Sequence, residues 1–421
     1  MKYGINTLDD FQVSGKTVIV RVDINQPVDK EKNELKDITR IKACIKTLAE
    51  LADKGAKVVV LAHQGSDIEY KNFYTTQPHA KVLAELLDRE VKFVEDVCGP
   101  TAQQAIKELR DGQILLLDNV RFVAEEQTLF EMNLKLSHQD QAQTLLVRKL
   151  APLADQYVCD AFAAAHRDQP SLCGFEQLLP SAMGRLFEEE YSVLSGITEE
   201  PGRPSVFVLG GSKISDAFIM MESVLGKGIA DKVLAGGLVG NIMLLAKGID
   251  IGQESKAFIE KKGFNQYIDS AKELLEKYSS MIVLPSDLAY LENGVRKEVK
   301  VCDLPVKAML VDIGHESTEQ FREIILTAKT VFTNGPMGIF EETLTEYGTK
   351  NVWDALGKTA GYTVVGGGDS ITATNKYNLS EEINYICTGG GALIRFLTGE
   401  TLPVVRALMH GSKIKEESTI N

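Results

Sequence analysis

Nothing in this 421-residue chain reads as a membrane span, because no apolar run has the ~20 residues that a bilayer core demands. The opening residues, MKYGINTLDDFQ, carry no apolar secretory core, so the chain is expected to be cytoplasmic. Cysteine pairs at metal or redox spacing are missing too. Cys44, Cys98, Cys159, Cys173, Cys302 and Cys387 stand apart with no CxxC among them, which predicts buried free thiols. A basic excess is also absent. The formal net charge is −13, which argues against a general nucleic-acid or membrane surface and makes any local cluster of cations conspicuous. Two nucleotide signatures are lacking as well: GxxxxGK[ST] occurs nowhere, and the first strand-to-helix turn of neither half shows GxGxxG.

What the chain does have is rhythm. TVIVRVD (17–23) is followed by ITRIKACIKTLAELADKG, in which Ile41, Ile45, Leu48 and Ala52 fall on one helical face. AKVVVLAHQG, PHAKVLAELLD, VKFVEDVCG, TAQQAIKELRDG, ILLLDNVRF and DQYVCDAF continue the series. A second series starts at SVFVLGGSK and runs through DKVLAGGLVG, MIVLPSD, TVFTNGPMG, YTVVGGGDS and YICTGGGA. Short β-rich runs separated by helical patterns imply mostly parallel sheets covered on both faces, so the fold class is α/β with two Rossmann-like α/β/α domains. The expected boundaries are 1–180 for the first domain, 181–197 for a joining helix, 198–395 for the second domain, and 396–421 for a tail that lies on the surface or packs across the hinge.

In such sheets ligands bind beyond the carboxyl ends of the strands. In the first half those ends carry Arg21, Asp23, Asn25, His63, Asn119, Arg121, His166 and Arg167, with Arg40 opening the first helix. Guanidinium forks match carboxylate and phosphate oxygens, so this rim suits a small, multiply charged anion. The second half carries glycines instead: Gly210-Gly211, Gly236-Gly237, Gly335 and Gly338, Gly366–Gly368, and Gly389–Gly391. Bare backbone before a helix brings N–H groups close to phosphates, which predicts a nucleotide site. Lys213 is a candidate phosphate partner, and Asp369 with Ser370 a candidate Mg²⁺ site, since that cation prefers oxygen ligands.

The stretches VRVDINQP (20–27), ITRI (38–41), LAHQG (61–65), LLLDNVRF (115–122), DAFAAAHR (160–167), LGGSKISD (209–216), TNGPMGIFE (333–341), GGGDS (366–370) and TGGGA (388–392) resemble the phosphoglycerate kinase family over nearly the whole chain. FAAAHRDQPSLCGF is similar to its archaeal branch. The resemblance implies a glycolytic transferase of two hinged α/β domains. Such an enzyme passes a phosphoryl group between 1,3-bisphosphoglycerate and ADP, giving 3-phosphoglycerate and ATP, with Mg²⁺ and domain closure. It places the phosphoglycerate at Asp23, Asn25, Arg40, His63, Arg121 and Arg167. It places the nucleotide at Gly210, Gly211, Ser212, Lys213, Gly236, Gly237, Val311, Asn334, Glu341, Gly366, Gly367, Gly368, Asp369 and Ser370, with Asp369 on the metal. Arg40, Lys213 and the main chain at Gly390 are the expected catalytic groups. No nucleic-acid or membrane partner is expected, and a monomer is favoured over a homodimer.

Three positions depart from the family pattern. Ser66 stands where an arginine is common, Ala217 where a second lysine is common, and Gln169 where many members have a histidine. Each lost charge-assisted hydrogen bond weakens anion binding by roughly 1–3 kcal/mol if nothing replaces it. Lys71 is a candidate replacement for the arginine. Three alternatives stay open: a kinase acting on another phosphorylated carboxylate, a dinucleotide oxidoreductase, which the absent GxGxxG opposes, and a two-domain binding protein without turnover.

Overall fold

The computed structural model describes residues 1–29, 32, 34–65 and 74–415. The chain divides into two compact units, Met1–Ser192 with Thr401–Asn421, and Val193–Glu400. The helix Arg185–Glu199 runs through the boundary. Each unit is a mostly parallel α/β structure with helices flanking the sheet.

The sheet of the first unit has seven strands in the spatial order Asn6–Thr7, Ser181–Met183, Gln156–Cys159, Thr17–Arg21, Lys57–Leu61, Ile114–Leu117 and Val91–Val94, all parallel. Its central strands are apolar on both faces, as a sheet covered on both sides requires. Val18, Val20, Val58 and Val60 pack with Ile41, Cys44, Leu48 and Leu51 from the helix Thr39–Asp53. The chain leaves Thr17–Arg21 toward Lys57–Leu61 on one side and returns through Gln156–Cys159 on the other, which makes a topological switch point at Arg21.

The C-terminal helix Pro403–Gly411 belongs to this unit. Val404 N–H donates to Ala165 O at 3.3 Å, and Asn6 N–H donates to Ser412 Oγ at 2.8 Å. A Cβ on Gly411 would lie 2.4 Å from Ser181 Oγ, so the helix docks there only without a side chain.

The second unit repeats the plan with six parallel strands: Ile282–Val283, Lys232–Ala235, Ser205–Leu209, Thr330–Asn334, Tyr362–Gly366 and Tyr385–Cys387. Here the switch point falls at Leu209, between Lys232–Ala235 and Thr330–Asn334. The core is aromatic at its centre, where Phe207 and Phe332 meet at 5.1 Å and Trp353 is fully buried. The indole N–H of Trp353 donates to Thr374 Oγ1 at 2.9 Å, which satisfies its one polar atom. A separate antiparallel sheet, Asp287–Glu292, Val295–Lys300 and Leu310–Ile313, lies outside the alternating pattern. Five of the six cysteines are buried, whereas Cys302 is exposed in the turn Val301–Asp303. Among the described residues no helix is long and apolar enough to cross a membrane.

Candidate active site

The strand ends of the first unit converge on a wired cationic rim. Thr17–Arg21 delivers Asp23 and Asn25, Lys57–Leu61 delivers His63, and Ile114–Leu117 delivers Asn119 and Arg121. Arg40 lies in the first turn of its helix and donates to Asp23 Oδ2 at 2.7 Å. Burial opposes ionisation of Asp23, but the positive charge of Arg40 and the N–H of Asn25 outweigh it and hold the carboxyl below its ordinary value. Asn25 and Gly65 are tied reciprocally, Gly65 N–H donating to Asn25 Oδ1 at 2.9 Å and Asn25 Nδ2 donating to Gly65 O at 3.5 Å. Arg121 also donates to Gly65 O.

Arg21 sits beneath the rim rather than on it. It is 1% exposed, and its Nε donates to Ser171 Oγ at 2.9 Å while another nitrogen donates to Val22 O. Its remaining nitrogen lies 3.1 Å from His63 Nδ1. A guanidinium only donates, so Nδ1 accepts and the ring proton sits on Nε2. Burial first, then the nearby charges of Arg21, Arg121 and Arg40, push the His63 pKa well below its usual value despite Asp23. His63 is therefore a neutral donor at physiological pH.

Arg121 is 5% exposed, and its pKa falls to about 10 through burial and the neighbouring Arg167 and Arg21. Its Nε finds no partner among the described residues. Cations crowded this closely repel one another until an anion joins them. Arg167 is half-buried and lies 3.6 Å from Glu131. Gln169, at a position where many members of the resembled family have a histidine, donates to Glu131 at 3.3 Å. Ser66 and Lys71 lie outside the described residues.

Residue patterns alone missed Gln64, Ser171, Glu126 and Glu131. Gln64 bridges Gln26 and Asn119, its Nε2 donating to Gln26 O at 2.7 Å and its N–H to Asn119 Oδ1 at 3.2 Å. Gln64 sits within the LAHQG stretch, so a signal was at hand. Glu131 carries none, since only folding brings it to Arg167.

In the second unit a cavity of about 330 Å³ opens beside the switch point. Gly211, Ser212, Gly237, Val311, Glu341 and Asp369 line it, joined by Leu288 and Phe258. Its size is that of a small-molecule site. Asp369 stands exposed in the first turn of the helix Gly368–Lys376, and a Cβ on Gly368 would meet nothing within 4 Å. Open backbone at a helix start, with a carboxylate beside it, fits a phosphate chain and a hard cation. Gly390 has the same open surroundings at the start of the helix Gly390–Leu397. Lys213 is exposed and stands at the N-cap position of the helix Ile214–Gly226 without lining the cavity. Ala217, where the resembled family commonly has a second lysine, is 5% exposed within that helix.

The other nucleotide candidates support the cavity from behind. A Cβ on Gly210 would lie 2.2 Å from Pro336 O, one on Gly236 2.4 Å from Met337 Sδ, and one on Gly366 2.4 Å from a Leu393 methyl. Gly210 and Gly236 let their turns touch the loop at Pro336 and Met337, and Gly366 leaves room for a side chain of the helix Gly390–Leu397. Ser370 is fully buried, its Oγ accepting from Gly335 N–H at 2.7 Å. Asn334 Oδ1 lies against Gly367, which has φ of +87°.

Comparison with known proteins identifies the family. The family model for phosphoglycerate kinase matches residues 8–400. The phosphoglycerate kinase of Methanothermus fervidus is 44% identical over 407 residues, 97% of each chain. That of Methanobacterium bryantii is 44% identical over 402 residues, 96% of each. The crystal structure of phosphoglycerate kinase from Pyrococcus horikoshii OT3 superposes with a TM-score of 0.87 at 39% identity, covering 97% of this chain and 99% of that one. The Coxiella burnetii phosphoglycerate kinase superposes at 0.81 with 27% identity, covering 97% and 100%. Sequence motifs, fold and whole-chain similarity converge, and the chain belongs to the phosphoglycerate kinase family.

Proposed function

We propose that the rim of the first unit binds the three-carbon acid and the cavity of the second binds the Mg-nucleotide, so that this chain performs the family's reaction with the residues named above. That reaction is reversible transfer of the acyl phosphoryl group of 1,3-bisphosphoglycerate to ADP, giving 3-phosphoglycerate and ATP, Mg²⁺-dependent and with domain closure. The observation that carries the assignment is the division of labour. One unit gathers buried cationic side chains, and the other gathers open backbone beside a carboxylate.

The attacking group in the reverse direction is a carboxylate, already ionised near neutral pH, so the site needs no general base. His63 offers the acid a hydrogen bond from Nε2–H and is not placed as a base, since its Nδ1 already accepts from Arg21. Arg121 and Arg167 hold the remote phosphate and carboxylate. Asp23 fixes the orientation of Arg40, which neutralises the transferring phosphoryl. Lys213 and the N–H groups around Gly390 approach the same group from the nucleotide side.

In the cavity Val311 and Leu288 offer an apolar wall to the base, and Glu341 offers acceptors to ribose hydroxyls. Asp369 is the residue that would hold Mg²⁺, which supplies charge neutralisation of the phosphate oxygens when bound. Exclusion of water protects the acyl phosphate from hydrolysis.

The direct test is a coupled assay of ADP phosphorylation from 1,3-bisphosphoglycerate, with and without Mg²⁺. Turnover that requires both substrates and the cation is expected. Tight Mg-ADP binding without transfer would overturn the assignment in favour of a binding protein. Comparable activity on several other phosphorylated acids would overturn the substrate.

A further inference from the structure

We propose that His138, Asp168 and Cys173 form a binding site for a divalent transition-metal cation, with Zn²⁺ the ion whose preferences they match. One donor atom from each lies within 4.8 Å of the other two, and His138 Nε2 stands 3.2 Å from Asp168 Oδ1. A nitrogen, an oxygen and a sulfur suit Zn²⁺ and its neighbours, whereas Mg²⁺ and Ca²⁺ require oxygen throughout. Three protein ligands leave a fourth tetrahedral position for water. The site is separate from the Mg²⁺ carboxylate, which belongs to the other unit.

The fold supplies access and support. Cys173 is fully buried, at the end of the short helix Pro170–Cys173, while the side chains of His138 and Asp168 keep 19% and 37% of their exposure. An ion therefore enters past the imidazole and carboxylate and meets the sulfur on the floor. Asp168 is already oriented, since Gln141 Nε2 donates to its Oδ1 at 2.6 Å and its own N–H donates to Glu131 at 2.8 Å. Outer partners of this kind fix ligands in place. On binding, the Cys173 S–H bond breaks, its proton leaves to solvent, and a sulfur–metal bond forms. The contact of Cys173 Sγ with Arg167 O, 3.8 Å long, is given up.

That contact gives the site a consequence for the reaction. Arg167 lies directly before Asp168, and Glu131 holds Arg167, the Asp168 N–H and Gln169 together. An ion drawing on Asp168 and Cys173 shifts this segment and weakens the grip of Arg167 on the acid. This coupling rests on the reading of Arg167 as an acid-binding group; the metal site does not.

The test uses the full chain, stripped with a chelator and titrated with Co²⁺. One equivalent is expected to give a thiolate-to-cobalt charge-transfer band that Zn²⁺ displaces. His138→Ala should weaken binding at least ~10-fold and Cys173→Ser should abolish the band. Since Cys173 is buried, the half-buried His138 carries the decision if the serine variant misfolds. No band in the wild type, or a band unchanged in both His138→Ala and Asp168→Asn, overturns the site. For the coupling, the KM for 3-phosphoglycerate should rise several-fold with Zn²⁺ at fixed free Mg²⁺ in the wild type but not in His138→Ala. A cobalt band with unchanged KM overturns the coupling alone. Arg167→Ala leaving the metal-free KM unchanged would strike the reading of Arg167 instead.

Discussion

The two candidate sites occupy the same place in the same kind of sheet and are built from opposite materials. In the first unit the site is side chain. Arg21, Asp23, His63 and Arg121 are all buried, and each is held by a neighbour: Arg21 by Ser171, Asp23 by Arg40, His63 by Arg21, Arg121 by Gly65. In the second unit the site is backbone, and its glycines do two jobs. Gly210, Gly236 and Gly335 let loops touch, while Gly368 and Gly390 face open space. A side-chain site is damaged by removing atoms, and a backbone site by adding them.

The largest expected effect breaks the second unit. Gly335 has φ of +91°, and a Cβ there would lie 2.1 Å from Gly210 O, a backbone atom that cannot move aside. Gly335→Ala should cost at least ~3 kcal/mol by strain and displacement, whereas Gly368→Ala should leave stability within ~1 kcal/mol. Denaturant unfolding of the two variants checks the contrast, and equal losses would refute the division of the glycines.

Next comes the cationic rim. In the proposed mechanism Arg40→Ala removes a charge from the transferring group and strands the buried Asp23, so kcat/KM should fall ~100-fold, about 3 kcal/mol of transition-state stabilisation. Steady-state kinetics within a few-fold of wild type would remove Arg40 from its role.

A buried carboxylate under the same rim gives a pH signature. Burial raises the Glu126 pKa from 4.5 to about 7, only partly countered by Arg21 and Ser171. Between those values the folded state binds more protons than the unfolded one, so this group's contribution is full at low pH and is lost as pH rises through 7. Glu126→Gln keeps the site neutral, and should stabilise the protein by about 2 kcal/mol at pH 8 relative to wild type and hardly at all at pH 4.5. Urea unfolding across that range measures it, and parallel curves would contradict the assignment.

The smallest effect belongs to Asp369, the proposed Mg²⁺ ligand. Asp369→Asn should raise the KM for Mg-ADP ~10-fold while leaving binding of 3-phosphoglycerate unchanged. A matching loss in both substrates would show that Asp369 supports the fold and not one site.

Much of this was legible before folding. The alternation of TVIVRVD with its amphipathic helix, repeated along the chain, gives a parallel sheet because apolar strands need cover on both faces. Arg21, Asp23, Arg40 and His63 do meet, since parallel strands present their carboxyl ends to one edge. Roles within each cluster were less legible. Arg21 resembles Arg121 in sequence, yet it serves His63 from beneath. Ser370 stands beside Asp369, yet its hydroxyl accepts from Gly335. The hairpin-linked strands at 287–313 that wall the cavity escaped the alternating reading altogether.

The sequence by itself determined the family, the strand order's local rhythm and the chemical character of the two halves, because these depend on residue type and near-neighbour spacing. Tertiary structure alone decided which cations are buried, which His63 nitrogen carries the proton, which glycines face open space, and that His138 meets Cys173. Those properties depend on neighbours distant along the chain, and burial and hydrogen bonding are set only when such neighbours are brought within a few ångströms.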